Sequence, residues 1–282
     1  MESIIFESEM RARFRFTAAN LLLNARKNHV NYQADYGLPY VPPYMDVIHG
    51  KVQNIRQGVN FAVGGATALD AEFILNKRNR KTIKTMESMN VQLGWFKKLK
   101  PSLCSNKQDC ARLFKRWLFF VDEIGRNDLN LTLIEEGAAH LVVPGNLPMS
   151  CTAGFITSGM AKEEYYNRGC LKRLNAMVEL KNKENKLALS ELKRKYPAYH
   201  DNHFDYNGAA NQFYDAPQKY GNHALYLSDA TTLLKNDCGF LCKSSATYTN
   251  WDGTRYTKTS YRMIGQGVIE GPFSHPPLKN CD

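Results

Sequence analysis

The sequence has no apolar run that approaches the ~18 consecutive residues a helix needs to cross a bilayer, so no membrane-spanning helix is expected. None of its seven cysteines forms a Cys-x-x-Cys pair, which argues against a structural zinc site. The lysine and glycine spacing of a phosphate-binding loop is absent as well. We therefore expect no metal ion and no cofactor.

Acidic residues are fewer than basic residues. The net charge is therefore +10, and the pI is 9.2. That balance favours an acidic partner, such as a pectin-like polysaccharide. The basic residues are scattered, and the densest run, Asn76–Lys84, has no interleaved aromatic residue, so nucleic acid is not expected as a partner. With 282 residues, the chain is interpreted as a poorly patterned segment 1–35 and a single domain 36–282.

Signals for the cellular compartment conflict. Cys104 and Cys110 enclose a short polar loop and would form a disulfide in an oxidising compartment, and Asn130-Leu-Thr matches the acceptor pattern for N-glycosylation. Residues 1–10, however, have acids where a signal peptide needs a basic region and a long apolar core. The cysteines and the acceptor pattern predict secretion, while no signal peptide is visible.

An apolar run of buried-strand type, Leu118–Val121, is followed by Gly125, Asn127 and Asp128. In open α/β sheets, the carboxyl ends of the strands face the ligand crevice. A side-chain amide at Asn127 would be a good donor to an oxygen that becomes negative during acyl transfer. The alternative is an ordinary Asn-Asp turn at the end of a strand.

A second short strand, Val59–Val63, is predicted to run into Gly64 and Gly65. Paired glycines let backbone N–H groups approach a ligand closely, as an oxyanion hole requires, although a simple strand-end turn is the alternative. A third strand is predicted over 139–145 and a weak one over 203–206. Helices are predicted over 13–28, 84–99, 209–214 and 257–268, and within 165–195, where Leu187 and Leu192 are expected to face inward. This strand–helix alternation predicts a three-layer α/β domain with a parallel sheet.

Four stretches together resemble the plant GDSL esterase/lipase family, a branch of the SGNH hydrolases. They are 57–69, 91–110, 118–130 and 142–151, and the stretches 168–175 and 250–257 extend the likeness. It covers most of the chain from Tyr36 onward and is strongest to the subgroup that includes the sinapine and acetylajmalan esterases. No single motif is specific, but their order and near-verbatim wording are.

The resemblance implies a flavodoxin-like α/β/α fold and secreted serine ester hydrolysis without a cofactor. In the family's four blocks, a Gly-Asp-Ser motif supplies the nucleophile, and a glycine matching the Gly64–Gly65 pair supplies an oxyanion donor. The third block, Gly-x-Asn-Asp, matches Gly125–Asp128 and gives Asn127 as a donor. The fourth block, Asp-x-x-His, matches Asp252, which would orient the base.

The sequence departs from this pattern in three ways. It contains no Gly-Asp-Ser, and the nearest substitute is Ser8 between two glutamates. Arg255 occupies the position of the family's histidine, and His223 and His275 lie elsewhere in the sequence. The stretch between Ile124 and Ala139 is short for a parallel crossover, so either one or two helical turns make the connection or the sheet is rearranged.

Two hypotheses follow. The first is a GDSL-family ester hydrolase, at best feebly active, that still binds a small ester or carboxylate through the retained donors and Arg255. It describes a shortened or decayed copy of an acyl-transfer enzyme. The second is a non-catalytic binding protein for acidic cell-wall polysaccharide, motivated by the net charge.

Overall fold

The structure is a computed structural model that describes residues 15–19, 41–55, 58–63, 66–77, 85–121, 132–152, 155, 165–166, 170–220, 249–250, 256–275 and 277. The strands in these ranges are β1 (Arg15–Ala19), β2 (Trp117–Val121), β3 (His140–Pro144), β4 (His200–Phe204) and β5 (Ser274–His275). The helices are α1 (Tyr44–Ile48), α2 (Ala71–Lys77), α3 (Met89–Leu103), α4 (Lys107–Phe114), α5 (Lys172–Lys195), α6 (Tyr206–Asp215) and α7 (Lys258–Glu270). Short 3-10 helices cover Met149–Cys151 and Pro217–Tyr220. None of the described helices is long and apolar enough to cross a membrane.

The chain groups into two compact units. Unit 1 consists of Met1–Lys27, Gln33–Pro144 and Asn185–His203, and unit 2 consists of Asn28–Tyr32, Gly145–Glu184 and Phe204–Asp282. The boundary at 144/145 falls directly after β3. A single domain over 36–282 stays a prediction.

A parallel sheet organises unit 1, in which β1, β2, β3 and β4 are neighbours in chain order. β1 pairs parallel with β2, with Arg15 opposite Trp117, and β2 pairs parallel with β3, with Leu118 opposite His140. The His200 N–H at the start of β4 donates to the Ala139 carbonyl at 2.8 Å. The predicted α/β fold with a parallel sheet is confirmed.

Aromatic packing forms the centre of unit 1. β2 reads Trp-Leu-Phe-Phe-Val, and its nearly continuous burial explains why it lacks the apolar–polar alternation of a half-exposed strand. Phe114 is fully buried, and its ring centroid lies 5.5 Å from those of Phe96 and Trp117 and 5.7 Å from that of Phe119. The tilted and edge-on ring angles are those that the aromatic quadrupole favours.

Side-chain caps define where α3 and α4 begin. The Ser88 hydroxyl accepts the Val91 N–H, and the Asn106 side chain accepts the Asp109 N–H at 2.9 Å, so each satisfies an N–H that lacks an intrahelical partner. The predicted helix over 84–99 is confirmed, but it starts at Met89 because Ser88 is the cap. It extends to Leu103, past Pro101.

The crossover from β2 to β3 is short, as the sequence indicated. Residues 132–135 form one helical turn, and the Ala138 N–H donates to the Leu133 carbonyl at 2.9 Å just before β3 begins. Because β2 and β3 are parallel neighbours in register, this part of the sheet is not rearranged. Residues 122–131 lie outside the described ranges, so a connection made by one or two helical turns stays a prediction.

Unit 2 contains α6, α7 and β5, together with the part of α5 up to Glu184. The Asp205 N–H donates to the Phe273 carbonyl at 2.8 Å, and the Ser274 hydroxyl donates to the Val268 carbonyl. Gly267 is required in α7, because a Cβ there would lie 2.5 Å from the Phe273 ring. A disulfide joins Cys151 and Cys170.

Three sequence predictions of local structure are wrong. Arg15–Ala19 is strand rather than part of a helix over 13–28, because pairing with the apolar β2 outweighs a weak helical pattern. The stretch 58–63 is not a strand but carries one isolated bridge, from Asn60 to Pro43. Leu187 is 52% exposed, because the inward face of α5 is set by Ala188 and Leu192.

The remaining predicted elements are confirmed with shifted ends. The third strand runs over His140–Pro144 within the predicted 139–145, and the weak strand lies earlier than predicted, at His200–Phe204. The predicted helices over 209–214 and 257–268 correspond to α6 and α7.

Candidate functional site

The residues that the sequence assigns to catalysis lie outside the described ranges. These are Ser8, Gly64, Gly65, Gly125, Asn127, Asp128, Asp252 and Arg255, and the glycosylation candidate Asn130 lies outside them too. Their roles stay predictions. The structure does describe the residues on either side of the glycine pair and of the Asp252 segment, and it shows how those flanking residues are fixed.

The approach to Gly64 is anchored by backbone and ring contacts. The Asn60 N–H donates to the Pro42 carbonyl at 2.8 Å, and the Asn60 carbonyl accepts the Tyr44 N–H at 2.7 Å. The Asn60 side chain also accepts the Ala62 N–H at 2.9 Å. Next along the chain, the Phe61 ring centroid lies 5.4 Å from that of Tyr44. The backbone that leads toward the glycine pair is therefore fixed against residues 42–44.

The exit from Gly65 is tied to the start of α3. The Met89 N–H donates to the Thr67 carbonyl at 3.0 Å. The Asp70 carboxylate accepts a hydrogen bond from the Ser88 hydroxyl at 2.7 Å. The Asn90 side-chain nitrogen donates to the same carboxylate and lies 3.1 Å from each of its two oxygens. Because bonds to a carboxylate are stronger than neutral ones, this junction is well suited to holding the segment rigid.

The residues on either side of the Asp252 segment are bonded to each other in unit 2. Asn250 and Tyr256 form an antiparallel bridge, and the Thr257 N–H donates to the Thr249 carbonyl at 2.9 Å. Five residues, 251–255, are therefore enclosed between bridged ends. The Ser260 hydroxyl donates to the same Thr249 carbonyl at 3.0 Å.

A tyrosine from α6 completes this anchor. The Tyr214 hydroxyl lies 2.8 Å from Asn250 Oδ1 and 3.2 Å from the Tyr256 hydroxyl. Since Tyr214 has one proton and Asn250 Oδ1 can only accept, Tyr214 donates to Asn250 and accepts from Tyr256. All three side chains are buried, so the bonds act in a medium of low dielectric constant.

A reciprocal amide clamp follows β3. Asn182 Oδ1 accepts the Asn146 N–H at 2.6 Å, and Asn182 Nδ2 donates to the Asn146 carbonyl at 3.1 Å. The Lys181 ammonium donates to Asn146 Oδ1 at 2.8 Å. Gly145 is needed for this close approach, because a Cβ there would lie 3.1 Å from the Asn182 side chain. Sequence reasoning missed the clamp, since Asn182 lies among lysines in a helix whose polar face was assigned to solvent.

The two histidines considered as substitute bases and the possible metal ligands give no further candidate site within the described residues. His275, one of the two substitute bases considered, is exposed in β5, and His223 lies outside the described residues. Within the ranges that the structure describes, no three His, Cys, Asp or Glu side chains are grouped so that they could hold a metal ion.

Disulfides stabilise both units. The predicted Cys104–Cys110 bond is confirmed, and it links the end of α3 to α4. The bond between Cys151 and Cys170 was not predicted, because their spacing of 19 residues has no recognisable signature.

Comparison with known proteins agrees with the fold and with the sequence motifs. The family model for GDSL-like Lipase/Acylhydrolase matches residues 11–268. A GDSL esterase/lipase of Arabidopsis thaliana is 35% identical over 85% of this chain and 76% of its own length. A second one from that plant is 31% identical, over 88% of this chain and 74% of its own length. The sinapine esterase of Brassica napus is 30% identical, with the same two shares.

The chain therefore belongs to the GDSL-like lipase/acylhydrolase family and has the α/β fold of the SGNH hydrolases. The resemblance stated from the sequence, including the subgroup of the sinapine esterase, is confirmed. Membership in this family indicates the chemistry of a carboxylic ester hydrolase that acts on ester substrates.

Proposed function

We propose that this chain is a GDSL-family esterase whose acyl-transfer activity is impaired and that it retains the ability to bind an ester or a carboxylate. The observation that carries the proposal is Arg255 in the segment Asp252-Gly-Thr-Arg255, at the position of the family's catalytic histidine. A guanidinium stays protonated and has no acceptor lone pair, so it cannot take the proton of a serine hydroxyl.

The nucleophile is a second defect. The 282 residues contain no Gly-Asp-Ser, and Ser8, flanked by Glu7 and Glu9, is the nearest substitute. In a serine hydrolase, the loss of the serine or of the histidine lowers turnover about a million-fold, and the oxyanion donors alone leave about 10³–10⁴-fold acceleration over water. The donors expected here are Asn127 and the Gly64–Gly65 pair.

Ligand binding through the same segment is the function that we expect to persist. Arg255 would form a charge-assisted pair with Asp252, and its five N–H donors exceed what one carboxylate accepts. An ester carbonyl or a carboxylate bound beside it would use the remaining donors. The bridge between Asn250 and Tyr256 supports this, because it holds the ends of the segment in place.

Hydrolysis of p-nitrophenyl acetate by the purified protein tests the impairment. We expect turnover close to that of the heat-denatured protein and no effect of a serine-directed phosphonate. Ser8→Ala serves as the matched variant. Phosphonate-sensitive turnover that Ser8→Ala abolishes would show an intact nucleophile and overturn the proposal.

Calorimetric titration with butyrate tests the retained binding. We expect Arg255→Leu to weaken binding at least tenfold, because the paired cation is lost. Arg112→Leu is the control, since the Arg112 side chain is 81% exposed and makes only a 3.6 Å ion pair with Asp109. Equal affinity of the two variants would contradict a carboxylate site at Arg255.

Export and glycosylation belong to the same proposal. The disulfides Cys104–Cys110 and Cys151–Cys170 support an oxidising compartment, where Asn130 would be available for glycosylation. Expression through a eukaryotic secretory pathway should give a glycosidase-sensitive product. Asn130→Gln should remove that sensitivity, and an unchanged mass after glycosidase treatment of the parent chain would argue against glycosylation.

A further inference from the structure

The Cys104–Cys110 disulfide forms part of the wall of a cavity in unit 1. The cavity has a volume of about 470 Å³, and sites for small molecules usually measure about 300–1,000 Å³. Both cysteines line the cavity, although the two residues are only 6% and 4% exposed. The rest of the wall comes from the end of α3, the start of α4 and residues 135–137. A small molecule in this cavity would therefore lie against the disulfide.

The charged side chains that line the cavity are of both signs. The Glu136 carboxylate accepts the Lys100 ammonium at 2.6 Å, so these two charges largely compensate each other. Lys97 lies 3.7 Å from Glu136 and is 48% exposed, and Lys107 and Glu135 are also exposed. A ligand that carries both carboxylate and ammonium groups would match this lining, because the lysines attract its carboxylates and Glu135 attracts its ammonium group.

The two sulfur atoms of the disulfide have different electrostatic surroundings. Cys104 is the C-cap of α3, and its sulfur lies 3.6 Å from the carbonyl oxygen of Lys100. The last carbonyl groups of a helix carry a partial negative charge, so a thiolate on Cys104 is disfavoured. The Lys100 ammonium donates to Glu136, so its positive charge offsets this effect only in part.

Cys110 is the fourth residue of α4 and lies at the end of the first turn of that helix. The partial positive charge of a helix amino end stabilises a thiolate, and Lys107, three residues earlier, is a neighbour on the helix surface. Asp109 is the adjacent anion. Its carboxylate accepts the Ser105 N–H at 3.0 Å and lies 3.6 Å from the Arg112 guanidinium, so its charge is partly compensated. A thiolate is therefore more stable on Cys110 than on Cys104.

We propose that the Cys104–Cys110 disulfide is a site of thiol–disulfide exchange, and that the cavity binds a low-molecular-mass thiol with carboxylate and ammonium groups. The incoming thiol loses its proton to solvent, and its thiolate attacks Cys104 Sγ. A new S–S bond forms to Cys104 while the bond to Cys110 breaks, and the electron pair leaves on Cys110 Sγ. Cys110 is the leaving group because the more stable thiolate leaves faster.

The exchange replaces one disulfide by another and needs no external oxidant or reductant. Its product carries the ligand on Cys104 and a thiolate on Cys110. Attack by that thiolate on the mixed disulfide restores the Cys104–Cys110 bond and releases the thiol. The modification is therefore reversible, and it does not depend on ester turnover.

Peptide mass spectrometry after incubation with glutathione tests the proposal. Glutathione is a tripeptide thiol with two carboxylates and one ammonium group. Free cysteines are first blocked with N-ethylmaleimide, and the exchange is quenched with iodoacetamide. We expect glutathione on Cys104 and the acetamide label on Cys110. The Cys151–Cys170 disulfide is the internal control and should stay intact, because both of its residues are only 1% exposed.

Rates of exchange test whether the thiol is bound before it reacts. 2-Mercaptoethanol, which lacks the charged groups, is compared with glutathione at equal thiolate concentration. Lys97→Gln should slow exchange with glutathione about threefold and leave exchange with 2-mercaptoethanol unchanged. Lys107→Gln should slow exchange with both thiols, because Lys107 also stabilises the leaving thiolate. Lys98→Gln is the matched control, since Lys98 is an exposed cation of α3 that does not line the cavity.

Four outcomes would overturn the proposal. Glutathione on Cys110 instead of Cys104 would contradict the assignment of the attacked sulfur. Equally fast exchange at Cys151–Cys170 would show that the reaction proceeds through unfolding. Equal effects of Lys97→Gln and Lys98→Gln on the reaction with glutathione would show that the cavity does not bind this thiol. Absence of any mixed disulfide would show that the bond is inert. Circular dichroism confirms that the variants, all altered at exposed residues, are folded.

Discussion

The interiors of the two units are stabilised by different kinds of contact. In unit 1, the rings of Phe96, Phe114, Trp117 and Phe119 pack at centroid distances between 5.5 and 6.4 Å, and this cluster continues into the apolar core. Such packing is the sum of many small dispersive contacts and does not depend on one partner atom.

Unit 2 also has apolar residues, but hydrogen bonds between buried side chains connect its elements. Tyr214 bonds to Asn250, Ser150 bonds to Asn175 at 3.1 Å, and the Asn182 amide holds residue 146. A directional bond is lost entirely when one partner is removed. The difference teaches that equal changes in side-chain volume should have unequal effects in the two units.

The largest effect is expected for Phe114→Ala in unit 1. Phe114 is fully buried and contacts three other rings, so the substitution leaves a cavity and should lower the free energy of unfolding by about 3–5 kcal/mol. Leu187→Ala, at a side chain of the same unit that is 52% exposed, should cost less than about 1 kcal/mol. Urea unfolding measures both, and a loss below about 1 kcal/mol for Phe114→Ala would contradict the ring cluster.

The disulfides extend the comparison to covalent links. In the loop-closure treatment, the 19-residue separation of Cys151–Cys170 stabilises by about 3 kcal/mol, and the 6-residue separation of Cys104–Cys110 by about 2 kcal/mol. Replacing each pair by serine should therefore destabilise more in unit 2 than in unit 1. If the urea midpoints fell in the reverse order, the bond in unit 1 would stabilise the protein by more than its loop-closure entropy.

Tyr214→Phe isolates a hydroxyl in unit 2. It keeps the ring but removes the donor to Asn250 and the acceptor for Tyr256, so we expect a loss of about 1–3 kcal/mol. The matched change in unit 1 is Tyr44→Phe, where the structure shows ring contacts, including stacking on Trp95 at 5.1 Å. That change should cost less than about 0.5 kcal/mol. Equal losses would remove the distinction between the units.

The smallest effect is the dependence of stability on pH at His140. Burial, His200 and Lys115 lower the folded-state pKa of this histidine below its ordinary value of 6.5. Below a pH of about 6.5, the unfolded chain binds a proton at this histidine that the folded chain does not bind. The free energy of unfolding therefore falls as the pH falls and is recovered as the pH rises. His140→Asn should flatten urea midpoints measured between about pH 5 and about pH 7.5, and an unchanged slope would contradict the lowered pKa.

Apolar patterns made much of unit 1 predictable. The run Leu118–Val121 and the stretch 139–145 are continuous enough to indicate buried parallel strands, and both are observed. β1 was missed because its five residues acquire their conformation from pairing with β2, which no local pattern contains. Leu187 was misassigned because the helical phase of a lysine-rich segment is weakly marked.

The candidate site was predictable only as a set of motifs. Gly64, Gly65, Asn127 and Asp252 were assigned through family blocks, and their roles stay predictions. The anchors beside them were not foreseen, because a bond such as that between Tyr214 and Asn250 joins positions 36 residues apart. Asparagine and tyrosine signal such a partner no more strongly than they signal solvent exposure.

The short step from β2 to β3 also bears on the order in which the chain folds. Leu118 and His140 are 140 − 118 = 22 residues apart, whereas Arg15 and Trp117 are 117 − 15 = 102 residues apart. Closing the longer loop costs about 1.4 kcal/mol more in chain entropy. We therefore expect β2 and β3 to form the nucleus of the sheet in the folding transition state, and the amino-terminal strand to be added late.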